Sequence, residues 1–194
     1  MTRSMALLIC ISFSALLMAQ GSAGADIRSG ITGRWIINEE LSDNTDDQVE
    51  AAIKEGGGKV RRRWFRKRED DFYRGGPAEQ ELYDRISYDD VLTIGYDDPE
   101  LVFEYADNYV RVFYSDGRRR RTTANDFFNE GGVDFSFANW EQGSLLVEAR
   151  PRDGGYTLET YTLLENGNRL RVEMIIQPDS FSTTINLVRV YDRL

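Results

Sequence analysis

Residues 156–177 read YTLETYTLLENGNRLRVEMIIQ, and the second half of this stretch decides the fold. From Arg169 to Gln177, Leu170, Val172, Met174 and Ile176 alternate with Arg169, Arg171 and Glu173. Side chains of a strand point alternately to its two faces, so this period of two predicts a strand with one face buried. Asn166-Gly167-Asn168 ahead of it is a turn signal, and Tyr156 to Leu164 before the turn is a second strand.

The same unit recurs on both sides. Upstream, Ser144 to Arg150 places Leu145, Val147 and Ala149 on one face, joined through Glu141-Gln142-Gly143 to a segment in which Val133, Phe135 and Phe137 alternate with Asp134 and Ser136. Val91 to Tyr96 turns at Asp97-Asp98-Pro99 into Leu101 to Ala106. Tyr109 to Ser115 then turns at Asp116-Gly117, a hairpin signal, into Arg118 to Thr123. Thr184 to Asp192 closes the chain, and Gly33 to Asn38 opens it with Trp35 and Ile37 on one face. About ten strands at roughly 8–12-residue spacing describe an antiparallel meander. Closing such a meander removes its exposed edges. The expected fold is mainly β: an antiparallel up-and-down β-barrel with two short helices inserted after the first strand. Those helices are Asp46 to Lys54, with acids in its first turn and Gly56-Gly57-Gly58 after it, and Pro77 to Ser87, with Pro77 at its start.

The two ends of the chain carry a resemblance. Gly33-Arg34-Trp35 has the Gly-x-Trp pattern that opens the first strand of lipocalins, and the wider stretch Gly33 to Asp43 looks like the start of secreted, lipocalin-like bacterial proteins of unassigned function. Similar proteins carry Tyr114-Ser115-Asp116-Gly117-Arg118, a Trp-acid-x-Gly-x-Leu-x-Val turn at Trp140 to Val147, and a final Arg-Val-Tyr-Asp-Arg at Arg189 to Arg193. The resemblance implies a lipocalin-like barrel and brings no catalytic residue, cofactor or known ligand. It also implies a closed barrel base, in which a late arginine covers the Gly-x-Trp tryptophan. In the last strand, Ile185, Leu187, Arg189 and Tyr191 share one face, so Arg189 is expected to stack on Trp35, with Gly33, Trp35 and Arg189 as the structural set.

Location is read from the first 25 residues. Arg3, the apolar run Met5 to Met18 and Ala23-Gly24-Ala25 form the three parts of a cleaved signal, too short in its apolar part to span a membrane. Residues 26–194 are then one periplasmic or secreted domain without a transmembrane segment. Cys10, the one cysteine of the 194 residues, leaves with the signal. Having no histidine excludes Ser-His-Asp and Cys-His catalysis and histidine metal ligands. A net charge of −9 argues against a general nucleic-acid partner.

Three features remain for function. Lys59 to Arg68 is dense in basic residues, and Arg61, Arg62, Arg63, Trp64, Arg66 and Arg68 either contact an anionic envelope component or form a solvated loop, expected to be mobile over about residues 56–76. The acidic pairs Asp46-Asp47, Asp70-Asp71, Asp89-Asp90 and Asp97-Asp98 follow no calcium-loop spacing and suit turns better than a hydrolase or metal site. Phe103, Tyr105, Phe135, Phe137 and Trp140 either line a cavity for an apolar ligand or fill the barrel. The expectation is a non-enzymatic barrel binding an apolar or amphipathic small molecule, or an envelope accessory protein. The alternatives are a filled barrel that contacts an anionic partner through its basic loop, and a hydrolase built on paired acids.

Overall fold

The computed structural model describes residues 26–56, 86, 90–106, 110–117, 120–122, 134–150, 155–177 and 183–194. The expected signal, nearly all of the basic segment and most of the second expected helix lie outside these residues; so do Asp70, Asp71 and Asp89. A short helix, α1 (Asp26–Gly30), precedes strand β1 (Gly33–Ile37), and helix α2 (Thr45–Glu55) follows it. Nine strands complete the wall: β2 (Val91–Asp97), β3 (Glu100–Tyr105), β4 (Val110–Tyr114), β5 (Arg120–Thr122), β6 (Asp134–Glu141), β7 (Ser144–Arg150), β8 (Tyr156–Leu164), β9 (Arg169–Gln177) and β10 (Ile185–Arg193).

All ten pair in one sheet in the order β4-β3-β2-β1-β10-β9-β8-β7-β6-β5. Each neighbouring pair is antiparallel. The two end strands approach each other, with β4 beside β5 and β6, but no ladder joins them. The barrel is therefore nearly closed, with β4 and the arginine-rich β5 as its two edges.

Alternation sets the wall. Leu170, Val172, Met174 and Ile176 of β9 are all buried, as are Leu145, Val147 and Ala149 of β7 and Ile185, Leu187 and Tyr191 of β10. Helix α2 forms where expected because Asn44 caps it, its side chain accepting the Asp47 N–H at 3.1 Å. Val49 and Ala52 bury its apolar side, and it packs against β10. Upstream of α2, residues 38–43 take over as the neighbour of β10 where β1 stops. The Asp43 carboxylate accepts the Val188 N–H, and Ser42 Oγ accepts the Val190 N–H. These side chains satisfy backbone groups that would otherwise be an open strand edge. From the second expected helix, Ile86 is helical and buried.

The β2–β3, β6–β7 and β8–β9 turns lie at one end of the barrel, with the chain's last residues and α1; we call this the lower end. Ile27 and Ile31 plug it, 3% and 0% exposed, and Trp35 Nε1 donates to the Ile31 carbonyl at 3.0 Å.

Two expectations are corrected here. Arg189 does not stack on Trp35. Arg193, four residues later on the same face and directly opposite Trp35 in the ladder, lies over the indole at 4.1 Å from its centroid. Its guanidinium also donates to the carbonyls of Gly167 (2.7 Å), Thr32 (3.0 Å) and Gly30. The face was read correctly, but β1 is short, so only the far end of β10 lies against Trp35. Arg189 is buried instead beneath the start of α2, donating to the Asp43 carbonyl and Thr45 Oγ1. The second correction concerns β6. Its inward residue is Ala138, opposite the fully buried Val147, which puts Phe137 on the outer face opposite Glu148, half-buried. A one-residue change of register exchanges the faces of a strand, and the neighbouring β7 fixes it.

Candidate functional site

Inward positions of such a barrel are ordinarily apolar, and in the lower half they are: Trp35, Leu92, Ile94, Leu101, Leu145 and Leu170 are each at most 1% exposed. Toward the opposite end the wall changes character. The inward residues of β8 are Thr157, Glu159 and Tyr161, at 1%, 0% and 0% exposure. Their positions follow from the ladders: Glu159 pairs with Met174 on one side and Val147 on the other, both buried core residues. Across the barrel, β4 turns Arg111 and Phe113 inward.

Arg111 and Glu159 meet there. Arg111 Nη1 donates to both carboxylate oxygens of Glu159, at 2.9 and 3.1 Å. The Tyr161 hydroxyl donates to Oε2 at 2.5 Å, and the Thr157 hydroxyl to Oε1 at 3.3 Å. Arg111 also reaches the Tyr105 hydroxyl at 3.4 Å. Aromatic rings bound the cluster. Phe103 stands edge-to-face with Phe113 (5.2 Å) and with Tyr161 (5.1 Å), and the Arg111 guanidinium lies 4.7 Å from the Phe113 centroid. Glu159 thus has partners on both oxygens, which a buried carboxylate requires. Even so, a buried ion pair rarely adds net stability over apolar residues of the same volume, because desolvating two charges offsets their attraction. Leucines and phenylalanines would fill this volume at least as well.

Of the five ligand-lining residues expected from sequence, Phe103 and Tyr105 belong to this cluster. Phe137 is on the outer face, and the Phe135 side chain lies outside the described residues. Trp140 is half-buried at the lower end, where it stands edge-to-face with Tyr96 at 5.3 Å and beneath Arg28. Sequence reading missed Arg111, Thr157, Glu159 and Tyr161. In TLETY two alternations compete, and Glu159 reads as outward until its strand is registered against β9. Arg61, Arg62, Arg63, Trp64, Arg66 and Arg68 all lie outside the described residues.

A cleft of about 390 Å³ opens elsewhere, beside the start of α2, lined by Ile37, Asp43, Thr45, Ile86, Asp90 and Arg189 among others. Its arginine is already committed to the chain's own carbonyl and hydroxyl. Two of the acidic pairs lie wholly among the described residues: Asp46 and Asp47 sit in the first turn of α2, and Asp98, beside Asp97, accepts the Tyr96 hydroxyl at 2.7 Å. Among the described residues no three acidic side chains converge as metal ligands would.

Solved structures share this architecture. Apo lipid binding protein 8 of Caenorhabditis elegans superposes with a TM-score of 0.51 at 15% identity, over 86% of this chain and 96% of that one. The fold is that of the lipocalin and fatty-acid-binding barrels. A fatty acid transporter (TM-score 0.49, 12% identity, 86% of this chain and 97% of that one) and human cRBP IV (0.49, 12%, 84% and 98%) are also similar. No family model matches the sequence, and no curated protein matches it. The chain shares with the C. elegans barrel a backbone and very little sequence, so side-chain roles must come from this chain's own geometry.

Proposed function

We propose that the protein is an exported barrel that binds a small amphipathic molecule in its interior, with the polar end of the ligand meeting the Arg111–Glu159 cluster and its apolar part against Phe103 and Phe113. The observation that carries this reading is the placement of two opposite charges and three hydroxyls on the inner wall, where stability alone calls for hydrocarbon. The likeness to a barrel described as a lipid binding protein supports the same class of ligand. Export rests on the signal-like start of the sequence.

Titration with Nile red, an uncharged apolar fluorophore, tests the reading. Saturable binding to the native protein is expected, weakened by Phe103→Ala and altered by Tyr105→Phe. A folded protein that takes up no probe at micromolar concentration would favour a filled barrel whose contacts with a partner lie on its surface. The tight stacking of Phe103, Phe113 and Tyr161 is the observation favouring that second reading. For the location, N-terminal sequencing of exported protein should begin at Asp26; a start at Met1 would overturn it.

A further inference from the structure

We infer that three aromatic rings divide the barrel interior and confine the ligand to its upper part, so that the protein selects amphiphiles with a short apolar chain. The inference rests on the binding reading above and adds to it the length of the ligand.

The divider is built from opposite walls. Phe103 comes from β3 and Phe113 from β4, whereas Tyr161 comes from β8, five places from β3 in the order of the ten-stranded sheet and so across the barrel from it. Phe103 meets both other rings edge-to-face, at 5.2 and 5.1 Å between centroids. Rings at that separation are in contact, so no lumen passes between these walls at this level. The flanks are filled as well. Ile94 pairs with Phe103, Val172 and Leu145 pair with Tyr161, and each of the three is at most 1% exposed. A passage wide enough for a ligand would show as exposed surface on the side chains that line it. Exposure reappears only toward the upper end, at Ala149 (4%), Tyr105 (6%) and Arg111 (8%). The contact between the rings holds whatever else occupies the space above them.

The polar groups lie on the upper side of this divider. On β4, Arg111 stands two residues nearer the upper end than Phe113, and on β8, Glu159 stands two residues nearer it than Tyr161. A ligand entering from above therefore reaches the polar cluster and the upper face of the rings together. Its chain can go no deeper without parting rings that are packed against each other. Five residues of β8 lie above Tyr161, about 16 Å of strand at roughly 3.3 Å per residue. Barrel strands tilt by about 35–45°, which leaves about 12 Å along the axis. Carbon–carbon bonds of about 1.5 Å advance an extended chain by about 1.3 Å each, so about nine carbons span that depth. A longer chain leaves its remaining methylenes in water.

Straight-chain primary alcohols from hexanol to tetradecanol, competing against Nile red on the full mature chain, test the divider. Affinity should rise about fourfold with each methylene that is still being buried, the equivalent of about 0.8 kcal/mol. It should level off between octanol and dodecanol. Phe103→Ala removes the ring that joins the two walls. Hexanol and octanol should then bind less tightly, having lost a contact, while the rise continues to tetradecanol. A residue that only stabilised the fold would move all chain lengths alike. If circular dichroism shows Phe103→Ala to be unfolded, Phe103→Leu takes its place with a smaller shift of the break, since it too removes both edge-to-face contacts. The wild-type profile is a test in either case. An affinity that climbs unbroken to tetradecanol in the wild type would overturn the inference while leaving amphiphile binding intact. So would a folded Phe103 variant whose break has not moved. If neither Nile red nor any alcohol binds, the binding reading falls and takes the inference with it.

Discussion

The two ends of the barrel solve the same problem differently. At the lower end, α1 inserts Ile27 and Ile31, Trp35 fills the centre, and Arg193 covers the ring while donating to three backbone carbonyls. Its charge sits at the rim, half-buried, and its partners are neutral. Higher in the same barrel, Arg111 is inside the wall and paired with a carboxylate that has no exposed surface. One arginine seals and the other is sealed in. The contrast shows that covering an apolar end needs only a rim cation and carbonyls, so the interior pair is not required for closure. Its presence is better explained by what the interior receives.

That comparison breaks most visibly at Arg111. Arg111→Met leaves Glu159 buried without its cation and should cost about 3–5 kcal/mol, read by urea denaturation. The double variant Arg111→Met, Glu159→Leu should recover much of the loss, though not all, because the Tyr161 and Thr157 hydroxyls lose the carboxylate. A double variant as unstable as the single would mean that the pair holds the barrel together. At the lower end, Arg193→Ala should destabilise by about 2–4 kcal/mol, from the lost contact with Trp35 and the carbonyls left without a donor. Arg193→Lys should restore only part, since an ammonium cannot lie flat on the ring and bond three carbonyls at once.

Gly33 sharpens the same end. Its φ is +144°, and a Cβ there would lie 2.6 Å from Arg193 Nη1. Gly33→Ala should therefore cost about 1–3 kcal/mol in a thermal melt. Its effect should largely vanish in the Arg193→Ala background if the clash rather than the backbone conformation dominates. Trp140 is expected to matter least. Its Nε1 is buried and has no hydrogen-bond partner among the described residues, so Trp140→Phe removes an unsatisfied donor and keeps the ring against Tyr96. Stability should change by less than about 1 kcal/mol in either direction.

One pH effect belongs to the lower rim. Asp192 has its pKa held below the ordinary carboxylate value, chiefly by the hydrogen bond from Arg169 and then by that from Asn38. A depressed folded pKa contributes stability that is present above the unfolded value, near 4, and is lost as pH falls through the lower folded value. The melting temperature of the wild type should exceed that of Asp192→Asn at neutral pH, and the two should converge in acid. Both groups are close to solvent, so the difference should be small and should shrink in high salt.

The alternation of Leu170 to Ile176 and of Leu145 to Ala149, with short turns between, was enough to specify an antiparallel meander and the buried faces of those two strands, because a period of two with one apolar face admits little else. The acids Asp46 and Asp47 and the glycines from Gly56 likewise marked α2 from local chemistry alone. Tertiary structure decided what local pattern left degenerate. Phe137 and Ala138 compete for the inside of β6, and Thr157–Glu159–Tyr161 competes with Leu158 and Thr160 in β8. Only the ladders to β7 and β9 choose between them. Which arginine reaches Trp35 depends on where β1 ends, not on the face of β10. The meeting of Arg111 with Glu159 depends on two strands 48 residues apart that are not neighbours in the sheet and face each other only once it curls. Sequence sets the face of a strand whose two sides differ clearly, as in β7 and β9; an ion pair across a barrel comes from the curvature of the whole sheet.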